Sequence, residues 1–181
     1  MRSGAAAATL EHVAQEAAEP RWYAIYTCSR HEKRVSEQLE SKVIEHFLPL
    51  YESVHHWKDR RVRVQLPLFP GYLFVHIPLS RKIQVLEVPS VVRMVGFHGA
   101  PAALPEEEIV SLRSGLSGNL RVEPHPYLTV GRRVRVVRGP LAGREGIMVR
   151  KKDRLRLVIS IDLIMRSMAV EVDAADVEPL Q

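Results

Sequence analysis

Short runs of alternating aromatic and aliphatic residues predict β-strands in the first half of the chain. Residues 22–27 (WYAIYT) and 72–77 (YLFVHI) carry large apolar side chains that a strand would present to alternate faces. Before the second run, Pro70 fixes φ and Gly71 permits a tight turn. The same reasoning predicts further strands at residues 47–51 and 91–95 and a twisted hairpin at residues 55–64.

Three helices are predicted between and after these strands, and the short one among them would be capped by Ser80 and run to about Glu87. Ser29 and Glu32 have the spacing of a capping box, which predicts a helix from there to about residue 44. Apolar residues at every fourth position from Val35 to Val43 give this helix one apolar stripe. Pro105 is followed by three glutamates and predicts the start of the third helix, because proline suits the first turn and acidic side chains stabilise a helix N-terminus.

The pattern changes along the chain in a way that predicts two folded domains. Residues 21–114 mix strands and helices, which indicates an α+β domain with an antiparallel sheet flanked by helices. Residues 115–126 are rich in Ser, Gly, Asn and Pro and are interpreted as a linker. Residues 127–181 contain short strands without a helix signal, which predicts a small all-β barrel. Residues 1–20 are interpreted as a disordered tail.

Composition narrows the class of protein. The 181 residues carry a formal net charge of +5, which favours a polyanionic partner but also occurs in basic proteins that bind none. Cys28 is the only cysteine, which excludes an intrachain disulfide and a multi-cysteine metal site and predicts a reducing compartment, most simply the cytoplasm. No apolar stretch approaches the roughly 20 residues that cross a bilayer, and residues 1–20 lack the apolar core of a signal peptide.

The sequence lacks the residue patterns of common catalytic and metal sites. Residues 115–118 (GLSG) do not form a nucleophile elbow, and residues 139–144 (GPLAGR) lack the Lys-Ser/Thr ending of a phosphate loop. His55 and His56 are adjacent, but no third ligand has a suitable spacing for zinc. We therefore expect a binding protein that is not an enzyme and that uses neither a cofactor nor a metal.

An ordered set of segments resembles the NusG family of transcription elongation factors. The segments are Trp22-Tyr23 at the start of a strand, SRHEKRV at residues 29–35, FPGYLFV at residues 69–75, VVRMVG at residues 91–96 and PEEEI at residues 105–109. In the second domain, GRRVRVVRGPLAGREGIMV at residues 131–149 looks like a KOW motif. The resemblance covers about residues 21–181 and implies a NusG-type N-terminal α+β domain followed by an SH3-like KOW barrel.

In this family, the region around the FPGY segment forms an apolar concavity that receives the clamp helices of RNA polymerase. The resemblance implies that Phe69, Pro70, Tyr72 and Phe74 lie in or under this pocket, although strand alternation prevents all of them from facing outward. For an isolated amphipathic strand, the same aromatic residues would simply be core.

The start of the first helix is the candidate nucleic-acid interface. Arg30, His31 and Arg34 cluster where backbone N–H groups and the helix dipole already favour anions. The resemblance implies that this face lies near the upstream edge of the transcription bubble, where it would contact non-template DNA or nascent RNA, and Arg93 is a further candidate. The alternative interpretation is that these basic residues form a solvated helical face that binds nothing.

The basic hairpin at residues 55–64 fits a stabilised surface hairpin better than a binding element.

KOW domains of this family use an exposed apolar loop to meet either the ribosomal protein NusE or the terminator Rho. General NusG proteins carry Phe-Gly-Arg in this loop, whereas residues 161–168 here form the longer stretch IDLIMRSM. Leu163, Ile164 and Met165 are therefore the candidate partner-binding residues. The absence of Phe-Gly-Arg counts against Rho as a partner. In this loop the chain is more similar to specialised paralogues of the UpxY, LoaP and RfaH type.

Together, the residues and the resemblance predict a transcription elongation and antitermination factor. Its first domain would bridge the RNA polymerase cleft and suppress pausing and termination, and its KOW domain would recruit a partner such as NusE. Two alternatives stay open at this point: a housekeeping NusG that couples polymerase to Rho and the ribosome, and a ribosome-binding or RNA-binding KOW module.

Overall fold

Two compact units make up the part of the chain that the computed structural model describes, which is residues 18–56, 61–117, 120–128, 130–151 and 154–180. The first unit comprises the residues up to Leu48 together with Gly71–Leu104. The second unit comprises Pro49–Pro70 and the chain from Pro105 onward. The units divide the chain at different places from the predicted domains, so the domain boundaries stay a prediction.

The helices and strands follow one another in this order: β1 (Arg21–Thr27), α1 (Glu32–Ser41), β2 (His46–Phe47), β3 (Leu50–His56), β4 (Arg61–Pro67), β5 (Tyr72–Ile77), α2 (Lys82–Leu86), β6 (Val91–Met94), β7 (Gly96–Phe97), β8 (Ala100–Pro101), β9 (Ala103–Leu104), α3 (Glu106–Ser117), β10 (Val122–His125), β11 (Arg132–Val136), β12 (Glu145–Lys151), β13 (Arg154–Ile161), β14 (Arg166–Val172) and β15 (Val177–Pro179).

An antiparallel sheet forms the centre of the first unit. Its strands have the order β2-β5-β1-β6, and β9 also pairs with β1. Alternation in β1 sends Tyr23 and Ile25 into a core that they share with Val35 of α1 and Val85 of α2. Tyr26 points to the opposite face and is 36% exposed. The helices therefore cover one face of the sheet, and Tyr26 marks the other.

Helix α1 is shorter than predicted, and the capping box predicted for it is wrong. The helix begins at Glu32, with His31 as an N-cap residue that makes no side-chain capping bond. It ends at Ser41, and Val43 then adopts a left-handed φ of 55°. Because the chain turns there, Val43 is 84% exposed, and Ile44 takes the buried position that the apolar stripe assigned to Val43.

A six-stranded antiparallel sheet dominates the second unit. Its strand order is β10-β14-β13-β12-β11-β15, and its buried residues include Leu157, Ile161 and Met168. Helix α3 belongs to the same unit and packs on this sheet, because a Cβ added at Gly115 would lie 2.9 Å from Cε of Met168. Antiparallel sheets with helices, followed by a β-rich C-terminal region, confirm the predicted α+β fold class.

The predicted linker at residues 115–126 contains regular structure at both ends. Helix α3 continues to Ser117, and β10 pairs with β14. Strand β10 is an edge strand, where Pro124 can be tolerated because the ladder needs no N–H on its open side. The local composition of Ser, Gly, Asn and Pro could not reveal a strand that depends on pairing with a distant segment.

Several predictions fall wholly or partly outside the described residues. They are most of the tail at residues 1–20, the hairpin tip at residues 57–60 and the side chains of His55 and His56. The hairpin itself forms from β3 and β4. The separate strand predicted at residues 47–51 is divided between β2 and β3. Within the described ranges, the structure contains no helix with the length and apolar character needed to span a membrane.

Candidate functional site

Three side chains form a row across neighbouring strands of the first sheet. Tyr26 on β1 lies directly opposite Tyr72 on β5 and opposite Arg93 on β6. The two tyrosine rings are 5.2 Å apart between centroids, and the Arg93 guanidinium lies 5.7 Å from the centroid of the Tyr26 ring. These distances are those of an aromatic pair and of a cation–π contact. We call Tyr26, Tyr72 and Arg93 the aromatic row.

The aromatic row begins at the Gly71 turn, which leads into β5. Gly71 has a φ of 84°, in the left-handed region that favours glycine. A Cβ added at this position would lie 2.9 Å from Cε2 of Tyr26, so the tyrosine ring fits against the bare α-carbon. Thr27 donates its backbone N–H to the Gly71 carbonyl over 2.8 Å. The turn predicted from Pro70-Gly71 is confirmed, and it sets the point where Tyr72 enters the sheet.

The four residues predicted to contact polymerase differ in exposure. Phe69 and Phe74 are 1% and 0% exposed, so their side chains are core. Pro70 is exposed and Tyr72 is half-buried, so these two offer surface to a partner. Tyr26 was not among the predicted site residues. The available signal was its place near the end of β1, where its side chain faces the side of the sheet opposite to Ile25 and Thr27.

The basic residues near the start of α1 have different surroundings. Arg30 and Arg34 are exposed, and Arg30 adopts a left-handed φ of 65° just before the helix. His31 is half-buried, and its Nδ1 is hydrogen-bonded to Oγ of Ser90 at 2.8 Å. Arg93 was predicted with this group, and its guanidinium packs on the Tyr26 ring. Two exposed arginines therefore stay available at the helix start, while His31 and Arg93 make contacts within the first unit.

The predicted partner loop in the second unit is a single 3-10 turn at Asp162–Ile164. Met165 follows with a left-handed φ of 49° and is 60% exposed. Leu163 is half-buried, whereas Ile164 is 3% exposed and packs in the core. Of the three predicted residues, only Leu163 and Met165 therefore present apolar surface at this loop.

Two carboxylates lie close together beside the partner loop. Burial, followed by the negative charges of Asp162 and Glu107, raises the pKa of Glu108 from 4.5 to about 7. Oε2 of Glu108 is buried and has no hydrogen-bond partner among the described residues. Asp162 accepts a hydrogen bond from the Tyr127 hydroxyl at 3.1 Å. Glu108 therefore changes its charge near neutral pH, next to the loop.

The described residues contain no group of three or more His, Cys, Asp or Glu side chains that could hold a metal ion. Cys28 is exposed and directly follows β1. Each unit has surfaces of its own that are suited to binding. In the first unit these are the aromatic row and the two arginines at the start of α1, and in the second unit it is the loop with Leu163 and Met165.

Several known proteins similar to this chain carry the name NusG. The family model described as Transcription termination factor nusG matches residues 20–113, which is more than half of the chain. The chain is 28% identical over 186 residues to the Transcription termination/antitermination protein NusG of Staphylococcus epidermidis, with 93% of this chain and 100% of the relative covered. It is 29% identical over 179 residues to the protein of that name from Haemophilus influenzae, with 88% and 94% covered.

A solved structure supports the same fold. The structure described as Domain interaction in Thermotoga maritima NusG matches with a TM-score of 0.60 and 23% sequence identity, and the match covers 91% of this chain and 99% of that chain. The family model confirms the predicted resemblance to the family, whereas the specialised type within the family is not distinguished. The chain belongs to the NusG family of transcription termination/antitermination factors.

Proposed function

We propose that this chain is an elongation and antitermination factor that binds RNA polymerase through the aromatic row. The single observation that carries the proposal is the register of Tyr26, Tyr72 and Arg93 on three adjacent strands. Tyrosine and arginine are among the most frequent anchors of protein interfaces. A helical partner that lies across the sheet would cover both rings and the guanidinium at once.

Binding alone accounts for the proposed effect on transcription, so no catalysed step is needed. A factor that binds the closed, elongating state of polymerase more tightly than the paused state shifts the population toward elongation. A difference of about 1.4 kcal/mol between the two affinities changes the ratio of the states about tenfold. A modest preference at the aromatic row is therefore enough to suppress pausing.

The aromatic row is tested by the substitution Tyr72→Ala in the full chain. We expect affinity for RNA polymerase to fall by about 2 kcal/mol, because an interface anchor is removed. Phe97→Ala is the matched control, since Phe97 is an aromatic residue of the same unit that is 66% exposed and lies outside the aromatic row. Circular dichroism shows whether both variants fold. A folded Tyr72→Ala protein with full affinity would remove Tyr72 from the site.

Arg30 and Arg34 are proposed to contact non-template DNA or nascent RNA beside the polymerase. Both side chains are exposed at the start of α1, where the helix dipole favours phosphate groups. Such contacts act through counterion release and weaken as salt increases. His31 would support the site indirectly, because its ring holds Ser90.

The proposed nucleic-acid contact is tested by replacing both Arg30 and Arg34 with glutamine. We expect weaker nucleic-acid crosslinking and a slope of log affinity against log salt that is lower by roughly one unit for each lost phosphate contact. The pair Arg81→Gln and Lys82→Gln removes the same charge from another place in the same unit and serves as the control. Unchanged crosslinking across a salt series would return Arg30 and Arg34 to a solvated helical face.

The KOW region is proposed to recruit a partner, with the ribosomal protein NusE as the candidate, and to be a poor partner for Rho. The loop lacks the Phe-Gly-Arg stretch, and its largely exposed apolar residue is Met165. Recognition depends on shape and not only on apolar area, so a different loop offers Rho a different surface. These features favour a specialised antiterminator.

A housekeeping role in Rho-dependent termination is the second candidate, and the relatives' shared name, which includes termination, favours it. A purified transcription assay with and without Rho separates the two. We expect the full-length protein to reduce pausing and lengthen transcripts without stimulating Rho. Increased termination at Rho-dependent sites would establish the housekeeping role instead, and tight RNA binding without polymerase would favour an RNA-binding module.

A further inference from the structure

Glu32 is a buried carboxylate whose hydrogen-bond partner lies outside its own helix. It is the first residue of α1 and is 4% exposed. Its Oε1 accepts the backbone N–H of Gly71 over 2.7 Å, from a residue 39 positions away in the sequence. The carboxylate therefore joins the start of α1 to the turn before β5, in place of the capping box that the sequence predicts.

Both the N–H and the carbonyl of Gly71 make hydrogen bonds. The N–H bonds to Glu32, and the carbonyl accepts the backbone N–H of Thr27 at 2.8 Å and lies 3.4 Å from the Thr27 hydroxyl. The ring of Tyr26 occupies the space beside the α-carbon. Loss of one partner of a buried N–H typically costs about 1–3 kcal/mol, so the bond to Glu32 restrains this turn strongly.

The restrained turn stands next to both proposed binding surfaces. Tyr72 follows Gly71 directly and contacts Tyr26. Arg30 and His31 directly precede Glu32. One hydrogen bond between a side chain and the backbone therefore connects the basic start of α1 with the aromatic anchor of β5.

We propose that Glu32 is a positioning residue for polymerase docking: its carboxylate fixes the Gly71 turn, which directs the Tyr72 ring onto Tyr26 and keeps the aromatic row formed before the partner arrives. The inference rests on the proposed function, since a preformed row matters only if the row binds polymerase. Anchors that are ordered in advance bind more tightly because less conformational entropy is lost on association. A purely structural Glu32 would affect stability but would not act through Tyr72.

A double-mutant cycle in the full chain tests this role, with affinity for purified core RNA polymerase as the measurement. We expect Glu32→Ala to weaken binding about tenfold, and Glu32→Gln to stay within about twofold because its amide oxygen still accepts the Gly71 N–H. In a Tyr72→Ala background, Glu32→Ala is expected to add less than about twofold. Glu37→Ala removes an exposed carboxylate from the same helix and is the control.

Hydrogen exchange at the Gly71 amide provides a readout that needs no polymerase. We expect Glu32→Ala to speed this exchange about tenfold or more, because the N–H loses its buried acceptor, and Glu32→Gln to leave it near the parent rate. If Glu32→Ala does not fold, Glu32→Asp takes its place in the cycle and in the exchange measurement. Its side chain is one methylene shorter and does not reach the Gly71 N–H.

The outcomes test two claims separately: that the aromatic row binds polymerase, and that Glu32 positions Tyr72. Normal binding by Tyr72→Ala would overturn the docking face and, with it, the docking role of Glu32. A strong effect of Tyr72→Ala, combined with an effect of Glu32→Ala that is the same with and without Tyr72, would overturn the positioning role alone. Unchanged Gly71 exchange in Glu32→Ala would also overturn it, because the turn would then not depend on the carboxylate.

Discussion

Two glutamates in the first turns of helices have opposite electrostatic surroundings in the two units. Glu32, at the start of α1, is almost completely buried and accepts a backbone N–H from Gly71. Glu108, in the first turn of α3, is half-buried, faces Asp162, and has one oxygen without a hydrogen-bond partner among the described residues. Both positions suit an acidic side chain, because the helix dipole is positive there.

The partner of a carboxylate decides its role more than its position on a helix does. A backbone N–H satisfies the oxygen of Glu32 without adding charge, so the bond can fix a turn. A second carboxylate adds repulsion to the cost of burial, and the pKa of Glu108 therefore rises to about 7. The carboxylate of Glu32 therefore restrains a turn, whereas the charge of Glu108 changes near neutral pH.

The largest expected effect is at the restrained turn. Gly71→Ala should lower the free energy of unfolding by about 3 kcal/mol, because it adds a strained left-handed φ and a Cβ that meets the Tyr26 ring. Gly139→Ala is the matched control, since Gly139 also has a φ of 84° but no atom within 4 Å of the added Cβ. That control should lose only about 1 kcal/mol. Urea denaturation measures both, and equal losses would show that the Tyr26 contact contributes nothing to the turn.

A medium effect is expected at the carboxylate pair. The folded pKa of Glu108 lies above its ordinary value, so the stability that protonated Glu108 provides is complete below about pH 4.5 and is lost as pH rises through about 7. Glu108→Gln should therefore unfold at higher temperature than the parent at pH 8 and at nearly the same temperature at pH 5. Melting curves across this range measure the difference.

Glu106→Gln is the control for the carboxylate pair, because Glu106 is exposed on the same helix. It should follow the parent at every pH. If the melting temperatures of Glu108→Gln and the parent changed with pH in parallel, Glu108 would be ionised in the folded protein at neutral pH. Other interactions would then compensate the cost of burying its charge.

The smallest effect is expected for Asp162→Asn, which removes one of the charges facing Glu108. Burial and Glu107 still raise the pKa of Glu108, so the pH midpoint of the stability change should move only partly toward the ordinary value. An asparagine oxygen can still accept the Tyr127 hydroxyl, so the loop should keep this bond. A titration of Glu108 by carboxyl NMR checks the midpoint. An unmoved midpoint would assign the raised pKa to burial and Glu107 alone.

The pattern of residues predicted those elements whose causes are local. Alternation indicated β1 and β5, the Pro70-Gly71 pair indicated the turn between β4 and β5, and Pro105 with its glutamates indicated α3. Each of these signals acts through sterics, backbone φ or the helix dipole within a few residues. The α+β class and the family resemblance followed from the order of these signals.

Contacts between distant segments decided the rest. The chain turns at Val43, β10 pairs with β14, and Ile164 is drawn into the core, although nothing in the local pattern marks these outcomes. Contacts between distant segments also form the surfaces that are proposed to bind partners. Tyr26 gains its importance from the register that places it opposite Tyr72 and Arg93.

Local patterns determined β1, β5, the Gly71 turn and the start of α3, and the order of the segments determined the membership of a family, because each depends on residues that are neighbours along the chain or in a fixed order. Only the tertiary structure decided that Glu32 bonds to Gly71 and that Glu108 faces Asp162. The partner of a side chain is set by how strands and helices pack, and the distance of 39 residues between Glu32 and Gly71 leaves no local signal of their contact.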